Sequence, residues 1–597
     1  MLAKKFQWLI VLFPCFVANA QPMDGNIYHG IPIIWIDTEN GAPIQDKINY
    51  VPMQFALTDQ NNPSNNISLT AKDFSEGGIR GRGNSTWWSG PKKPYKIKFN
   101  KKQSLFGLEK AKSWILLANY FDLTLIKNSF AFELGHRLGV PYTSSYHYVE
   151  LYLNGEYRGN YMLTEHKEVA PGRVDIDPIE GWFVEIDRSY DELPKFRTKS
   201  YSLPIMIKSP DFGTNSADSR YDFVKNDLNE LCDSMASVNF PENGYRDFID
   251  MKSIINYFLV NSITFNGDFN LPGSLYFHKD KGGKISGGIL WDFDTGFGFS
   301  WEDLPVYIIN DNTHIIPYPI NIFLNRFFKD PLFLVKWKEN WNNNFSVISS
   351  MTQFIDDMSG EIRESALENY KKWRYNGHYP TVNFDYWIEE MKEYYNKRID
   401  YLNEEYNKID VLPKYKWFTT IAPQTFTLVA HGDITELSAT LQNADSSDFE
   451  ISTELNKQAT GNGGYLATVS VKPKKSLSMS DYLILKATNQ GNKFSFKVPL
   501  SFHVDTKVDS SSAIRLPQVA SGNIRAQSIS NAIILSNLPS NAKVEVYNLQ
   551  GKRIYSTYSE NSQILKIQVT KGMYVVKIKF GNREKHGLDN ILRVTVM

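Results

Sequence analysis

The sequence predicts an α+β fold of two lobes, followed by a β-sandwich and a small C-terminal β-domain. Three observations carry this. Residues 29–215 read as short strands with one clear helix, and residues 216–410 read mostly as helices. Residues 415–505 alternate Thr and Ser with Val, Leu and Phe and contain no helical stretch, the pattern of a sandwich of immunoglobulin type. Three acids, Asp268, Asp292 and Asp294, stand where strands give way to helices.

The chain has 597 residues, too many for one domain, and the length prior suggests about three to five. The formal net charge is zero, which argues against a general nucleic-acid or anionic-membrane binder. The first twenty residues read as a signal peptide. Lys4 and Lys5 precede an apolar stretch from Trp8 to Val17, and Ala18-Asn19-Ala20 is a small-x-small cleavage site. No later run of about 18 apolar residues follows, so no transmembrane segment is expected in the mature chain. Removal of the peptide takes Cys15 and leaves Cys232 alone, so internal disulfides are excluded. The 33 Tyr, 37 Phe and 13 Trp then have large cores to fill.

In chain order, Pro32 to Asp37 and Tyr50 to Phe55 are strands. The Gly-rich stretch Gly77-Gly-Ile-Arg-Gly-Arg-Gly83 places Arg80 and Arg82 where backbone can approach a phosphate closely, and serves equally well as a hairpin tip. Alternation over Lys92 to Phe99 puts Lys96 and Lys98 on one strand face, where either could grip a nucleotide or simply be solvated. Asp122 caps a helix running to Gly139, with Pro141 beyond. Asn154-Gly155 marks a tight hairpin between Tyr148–Leu153 and Tyr157–Glu165. Trp182 to Asp187 and Ile205 to Lys208 are further strands. Tyr221, Val224, Leu228, Leu231, Cys232 and Met235 recur at helical spacing, and Phe248 to Val260 is a second helix. Helices resume at Asn321–Asn344 and Trp387–Leu402. Residues 506–522 read as a Ser/Asp-rich linker, and 523–597 as strands.

The stretch from Asn266 to Gly298 organises the chain. Leu275 to His278 and Ile285 to Trp291 read as a hairpin closed by Lys279 to Gly283. A hairpin joins its ends, so Asp268 is expected near Asp292. Phosphoryl-transfer enzymes of the protein-kinase type place two acids this way. One accepts the proton of the incoming hydroxyl, and the other, in a D-F-G-like triplet, holds the metal on the nucleotide phosphates. Here the triplet is Asp292-Phe293-Asp294.

With these residues in view, the chain resembles the spore-coat-H-like (CotH) kinase family over roughly residues 30–405. The resemblance rests on Arg82-Gly-Asn-Ser-Thr-Trp87 with Lys92-Lys-Pro-Tyr-Lys96, Trp114 to Asn119, Glu150 to Gly159, and Trp291 to Gly298. It implies an atypical protein-kinase fold over 21–410, with an N-lobe of about 29–215 and a C-lobe of about 216–410. It also implies ATP with Mg²⁺ or Mn²⁺, and a secreted or surface protein as substrate. By the same resemblance Asp268 is the catalytic base, Asp292 the metal ligand, and Asp294 a second metal or phosphate-site residue. Protein kinases carry a metal-binding Asn five residues after the base. That position is Gly273 here, and Asn270 lies nearer. For the nucleotide lysine, Lys98, Lys96 and Lys208 all stand on strands before the catalytic segment, with Lys98 favoured. Arg82 would neutralise phosphate, and Trp182 is a candidate to stack on adenine or to fill the core.

The segment 523–597 resembles the sorting domain of the type IX secretion route, through Val546 to Lys552, Lys571 to Lys577 and Leu592 to Val596. That resemblance implies passage through the type IX machinery and a secreted or cell-surface location. Two other functions stay open at this point: a surface adhesion or scaffold protein on a kinase-like frame without catalysis, and a metal-dependent phosphoesterase.

Overall fold

The computed structural model describes residues 28–298 except 214, 216 and 217, residues 318–373 except 320, residues 383–502 except 454, 477 and 478, and strands between 525 and 596. The expected signal peptide and linker lie outside the described residues. The chain divides into two compact units, residues 1–503 and 504–597.

The first unit opens with a closed barrel. Its strands are β1 (Ile33–Thr38), β2 (Val51–Thr58), β3 (Ile67–Leu69), β4 (Gly77–Gly81), β5 (Tyr95–Gln103), β6 (Ala111–Leu117), β7 (Tyr146–Leu153) and β8 (Glu156–Glu165). The order runs β1-β7-β8-β6-β5-β4-β2, and β2 returns to β1, so the ring closes, with β3 added to β2. The β1–β7 pairing is parallel and joins segments more than 100 residues apart. No local signal marks such a pairing, so the sequence predicted β1, β2, β5, β7 and β8 but not their closure, and the glycine-rich stretch expected as a loop is strand β4. Closure leaves a cylinder packed inside by Ile34, Met53, Phe55, Ile97, Trp114 and Leu151. Strand β6 shows the logic. Trp114 and Leu116 point into the barrel, while Ile115 and Leu117 join the larger core outside. Period-two alternation with both faces buried reads as the unbroken apolar run Trp-Ile-Leu-Leu. The expected hairpin turn is present, with Asn154 at φ 53° and Gly155 at φ 74°.

A second sheet holds β9 (Trp182–Ile186), β10 (Lys195–Arg197), β11 (Pro204–Ser209), β12 (Leu275–Lys279) and β13 (Ser286–Gly287), in the order β10-β11-β9-β12-β13. It takes strands from both sides of residue 215. Strands and helices are therefore not segregated at that point as the sequence suggested, because β9 pairs directly with β12 from the acid-bearing stretch. The expected hairpin forms, but its return strand is only two residues long.

The helices are α1 (Ser85–Ser89), α2 (Lys127–Leu138), α3 (Ser219–Ala236), α4 (Met251–Ile263), α5 (Gly267–Asn270), α6 (Ile322–Phe327), α7 (Pro331–Ser349), α8 (Met351–Lys372) and α9 (Phe384–Asn407). Asp122 acts five residues before α2, accepting from the Lys127 amide at 2.8 Å. Gly139, left-handed at φ 71°, ends the helix as expected. The expected 321–344 helix is two helices, because Pro331 starts a new one with Asp330 as its cap.

Strands β14 (Asp410–Leu412), β15 (Lys416–Phe418), β16 (Gln424–His431), β17 (Ile434–Leu441), β18 (Phe449–Ile451), β19 (Asn456–Gly461), β20 (Gly464–Pro473), β21 (Met479–Asn489) and β22 (Asn492–Phe502) form two sheets. Phe418 on one meets Phe449 on the other, ring centroids 5.4 Å apart. This pair of sheets packs on α7. The buried Lys338 ammonium lies 2.9 Å from the Asp410 carboxylate, and Thr460 donates to Glu339 at 2.7 Å. The second unit consists of two small antiparallel sheets from strands between Arg525 and Val596, with Ile533, Leu535, Val544, Val546, Ile567 and Val576 buried.

Candidate active site

Helix α4 delivers the chain to Asn266. The Asn266 side-chain oxygen Oδ1 caps α5 by accepting from the Asp268 amide at 3.2 Å, and its NH₂ donates to Oδ1 of Asn261 at 3.1 Å. Asp268 therefore sits in the first turn of a single-turn helix with its backbone fixed from below. The Gly273 amide donates to the Asp268 carbonyl at 2.8 Å. A Cβ on Gly273 would lie 3.2 Å from the Asp268 carboxyl carbon, so this position is packed flat against the acid. That is a physical reason for glycine where protein kinases carry Asn.

The hairpin then does what its length suggested. Ser274 leads into β12, and after β13 the chain passes buried Leu290 and Trp291 to Asp292. Asp292 adopts φ 64°, a left-handed conformation that costs a residue with a side chain but is tolerated best by Asn and Asp. The Ser274 hydroxyl lies 3.4 Å from Oδ2 of Asp292, and Asp268 and Asp292 feel each other's charge. Burial first, and the Asp292 charge second, push the Asp268 carboxyl up to about 6 against the pull of Arg188. Asp292 is exposed to solvent, yet the protein packed around it raises its carboxyl. Arg82 and Lys167 oppose that rise. No cation lies within ion-pairing distance of Asp292 among the described residues.

Asp294 faces the start of α2. Asn128 donates to Oδ1 at 2.5 Å, and Lys127 donates to the backbone carbonyls of Asp294 and Gly296 at 3.3 and 3.1 Å. Burial, then Asp292 and Asp122, push Asp294 up to about 7. Asn270 ends α5, partly exposed, in the same turn as Asp268.

Cations approach from three elements. Arg82, in the loop after β4, lies over the Trp291 ring at 5.6 Å. Burial pulls its guanidinium down, while Asp292 foremost holds it charged. Lys208 on β11 pairs with Glu185 at 2.6 Å and also with Glu192. Lys167, just past β8, lies over Trp291 at 5.0 Å and Tyr276 at 4.5 Å, contacts the Tyr276 hydroxyl, and stands 3.7 Å from Glu185. Burial alone would raise the Glu185 carboxyl; Lys167 and Lys208 outweigh it and hold it down to about 2.

Two expected site residues are elsewhere. Lys98 is exposed on the outer face of β5, its ammonium 5.9 Å from the centre of the Tyr50 ring, because the alternation that buries Ile97 and Phe99 turns it outward. Trp182 is fully buried and its indole N–H donates to Asp227 at 2.8 Å, so it is a core tryptophan and cannot stack on a ligand. The sequence reading missed Lys167, Glu185, Asp187, Tyr276 and Asn128. One usable signal existed. Glu185 and Asp187 fall on the same face of an otherwise apolar strand, and carboxylates there need cations opposite.

A family model described as CotH kinase protein matches residues 79–402. That span is more than half of the chain and contains Arg82, Lys167, Lys208, Asp268 and Asp292. The chain belongs to the CotH family. A second model, the secretion system C-terminal sorting domain, matches residues 528–587 of this CotH protein, and export by that route follows. No described helix is long and apolar enough to cross a membrane. No curated protein matches the chain. Solved structures similar to parts of it include a chimeric titin Z1Z2 functionalized with a KLER exogenous peptide from decorin, at 16% identity over 31% of this chain and 92% of that one, TM-score 0.12. The CupB2 chaperone of Pseudomonas aeruginosa gives 14%, 29%, 93% and 0.13. An endo-fucoidan hydrolase of glycoside hydrolase family 107 gives 16%, 34%, 37% and 0.14. TM-scores this low say nothing about the barrel or the site.

Proposed function

We propose that this CotH protein is an exported atypical kinase that transfers the γ-phosphate of ATP to a hydroxyl of a secreted or surface protein. The observation that carries the reading is the meeting of Asp268 and Asp292 at the two ends of one hairpin, beside Arg82 and Lys167. In the reaction the acceptor oxygen forms a bond to the γ-phosphorus as the bridging P–O bond to the β-phosphate breaks. The acceptor's proton passes to the Asp268 carboxylate. Arg82 and Lys167 stand where phosphate charge would be met, and Lys208 keeps Glu185 ionised so that Lys167 stays aligned.

Among the described residues no three His, Cys, Asp or Glu side chains lie together as a preformed metal cage. Mg²⁺ does not require one. It is commonly held by one or two carboxylates, with phosphate oxygens and water completing the shell. Asp292, with no cation in ion-pairing range, fits that role, and Asp294 and Asn270 are the further candidates. The metal would supply neutralisation of phosphate charge.

The test is incubation of the full chain with γ-labelled ATP, Mg²⁺ or Mn²⁺ and surface proteins. Asp268→Ala and Asp292→Ala are each expected to abolish labelling while remaining folded. Full labelling by either variant ends the assignment. A second reading, a kinase-like scaffold without catalysis, is favoured by Gly273 in place of Asn. A scaffold that binds no nucleotide would show no rise in melting temperature with ATP and metal, whereas a nucleotide binder gains stability as ligand exceeds Kd.

A further inference from the structure

The loop between β9 and β10 rests on the turn that carries Asp268. Asp187 ties them together, Oδ2 accepting from the Ser274 amide at 2.8 Å and Oδ1 from the Ser189 amide at 2.7 Å. The Arg188 amide donates to the Pro272 carbonyl at 3.1 Å. With its backbone pinned, Arg188 reaches Asp268, Nη2 lying 3.3 Å from Oδ1, and its side chain is 50% exposed. Two further cations stand beyond it. Lys195 and Arg197 lie over the Tyr190 ring, 4.4 and 4.8 Å from its centre. They donate to the Tyr190 and Ser202 carbonyls, and among the described residues neither has a carboxylate in ion-pairing distance. The loop's own acids are engaged elsewhere, Asp191 with Asn84 at 3.4 Å and Glu192 with Lys208.

We infer that Arg188, Lys195 and Arg197 form the acceptor-binding rim and select a hydroxyl-bearing protein segment with acidic residues beside the hydroxyl. The inference rests on the phosphoryl-transfer reading of Asp268. Without acceptor, Arg188 holds the base. An incoming carboxylate takes the guanidinium in a charge-assisted pair, which frees Asp268 to receive the hydroxyl proton. Lys195 and Arg197 meet further carboxylates along the segment. A basic segment meets repulsion and leaves Arg188 where it is.

The experiment measures binding of three fluorescent peptides of equal length to the full chain by anisotropy, each with one hydroxyl residue flanked by Asp, Ala or Lys. Lys195 and Arg197 gain carboxylate partners while Arg188 only exchanges one, which predicts roughly fivefold tighter binding of the Asp-flanked peptide than of the Ala-flanked one, weakening with salt. The combined Arg188→Ala, Lys195→Ala, Arg197→Ala variant, checked for an unchanged melting temperature, is expected to bind both equally. Arg197→Glu, a single change at an exposed position, is expected to narrow the preference. Equal binding of all three peptides by the native chain, a preference for Lys, or a preference that survives the triple variant overturns the rim assignment. Phosphate transfer is scored separately. Selective binding of the Asp-flanked peptide without transfer under any nucleotide and metal sinks the kinase reading and the acceptor role with it, and leaves only a rim that binds acidic segments.

Discussion

The barrel and the sheet beside it are built from similar strands but place buried charge differently. The barrel core is apolar, with Ile34, Ile97, Trp114 and Leu151 on its inward face. The β10-β11-β9-β12-β13 sheet has Phe183, Val184, Ile205 and Phe277 in the large core, yet it also carries Glu185, Lys208 and Tyr276 in or beside that core. Charge out of water costs several kcal/mol unless it is paired. The barrel strands bury charge too, Glu150 with His29 and also Glu165, but away from the packed interior of the barrel, whereas the second sheet gathers its buried charge where Asp268 and Asp292 meet. Buried charge alone does not mark the site, since Glu150 and Glu165 interrupt the barrel strands in the same way; what marks it is the grouping of Glu185, Lys167 and Lys208 beside the acids.

Substitutions on each side of this contrast have separable signatures. The largest expected effect is Asp292→Ala, which should lower phosphate transfer by at least about 10³-fold without loss of fold, since it removes the proposed metal ligand. On the barrel side, Trp114→Ala should cost about 3–5 kcal/mol of stability, read by denaturant unfolding, through loss of a fully buried side chain. Should Trp114→Ala leave stability intact, the barrel is not the packed body described. Glu185→Gln should cost about 3 kcal/mol, because Lys167 and Lys208 lose their shared carboxylate. It should also reduce the melting-temperature rise produced by ATP and metal, an outcome the barrel substitution does not share when its own lower starting point is allowed for.

Asp268 gives a pH signature. Its carboxyl lies near 6 in the folded chain against an ordinary 3.8, so the native state binds its proton more tightly than the unfolded state. Stability from this group is therefore present at low pH and lost as pH rises between about 4 and 6. Asp268→Asn should melt higher than the native chain at neutral pH, with the difference fading toward about pH 4. Transfer by the native chain should rise through about pH 6 as the base ionises. A melting difference independent of pH would contradict the environment described for Asp268. The smallest expected effect is Lys98→Ala, within about 0.5 kcal/mol and without change in nucleotide-dependent stabilisation, as suits an exposed residue turned away from the acids.

Much of this was legible in the residues. The Asn154-Gly155 turn, the α3 stripe of Val224, Leu228 and Leu231, and the hairpin between Asp268 and Asp292 all rest on contacts within a few turns of chain. The lysines were not legible in the same way. Lys98, Lys167 and Lys208 all stand on or just past strands, and nothing local distinguishes them. Position relative to Glu185 does, and Glu185 reaches its place through the pairing of β9 with β12, about 90 residues later in the chain. Trp182 misled for a related reason. A tryptophan at a strand start fits a cleft or a core, and only the helix α3 residue Asp227 arriving at its indole N–H decides for the core.

By itself the sequence determined part of the local structure: strands such as β1, β7 and β8, the helices α2, α3 and α9, the Asn154-Gly155 turn, and that one hairpin draws two acids together. These follow from side-chain periodicity and turn chemistry, which act over a handful of residues. The tertiary structure alone decided that the strands close into a barrel through the parallel β1–β7 pair, that the second sheet crosses residue 215, and that Lys167 and Arg188 rather than Lys98 stand beside the acids. Those outcomes depend on pairings between distant segments, whose energies come from burial and charge compensation across the fold.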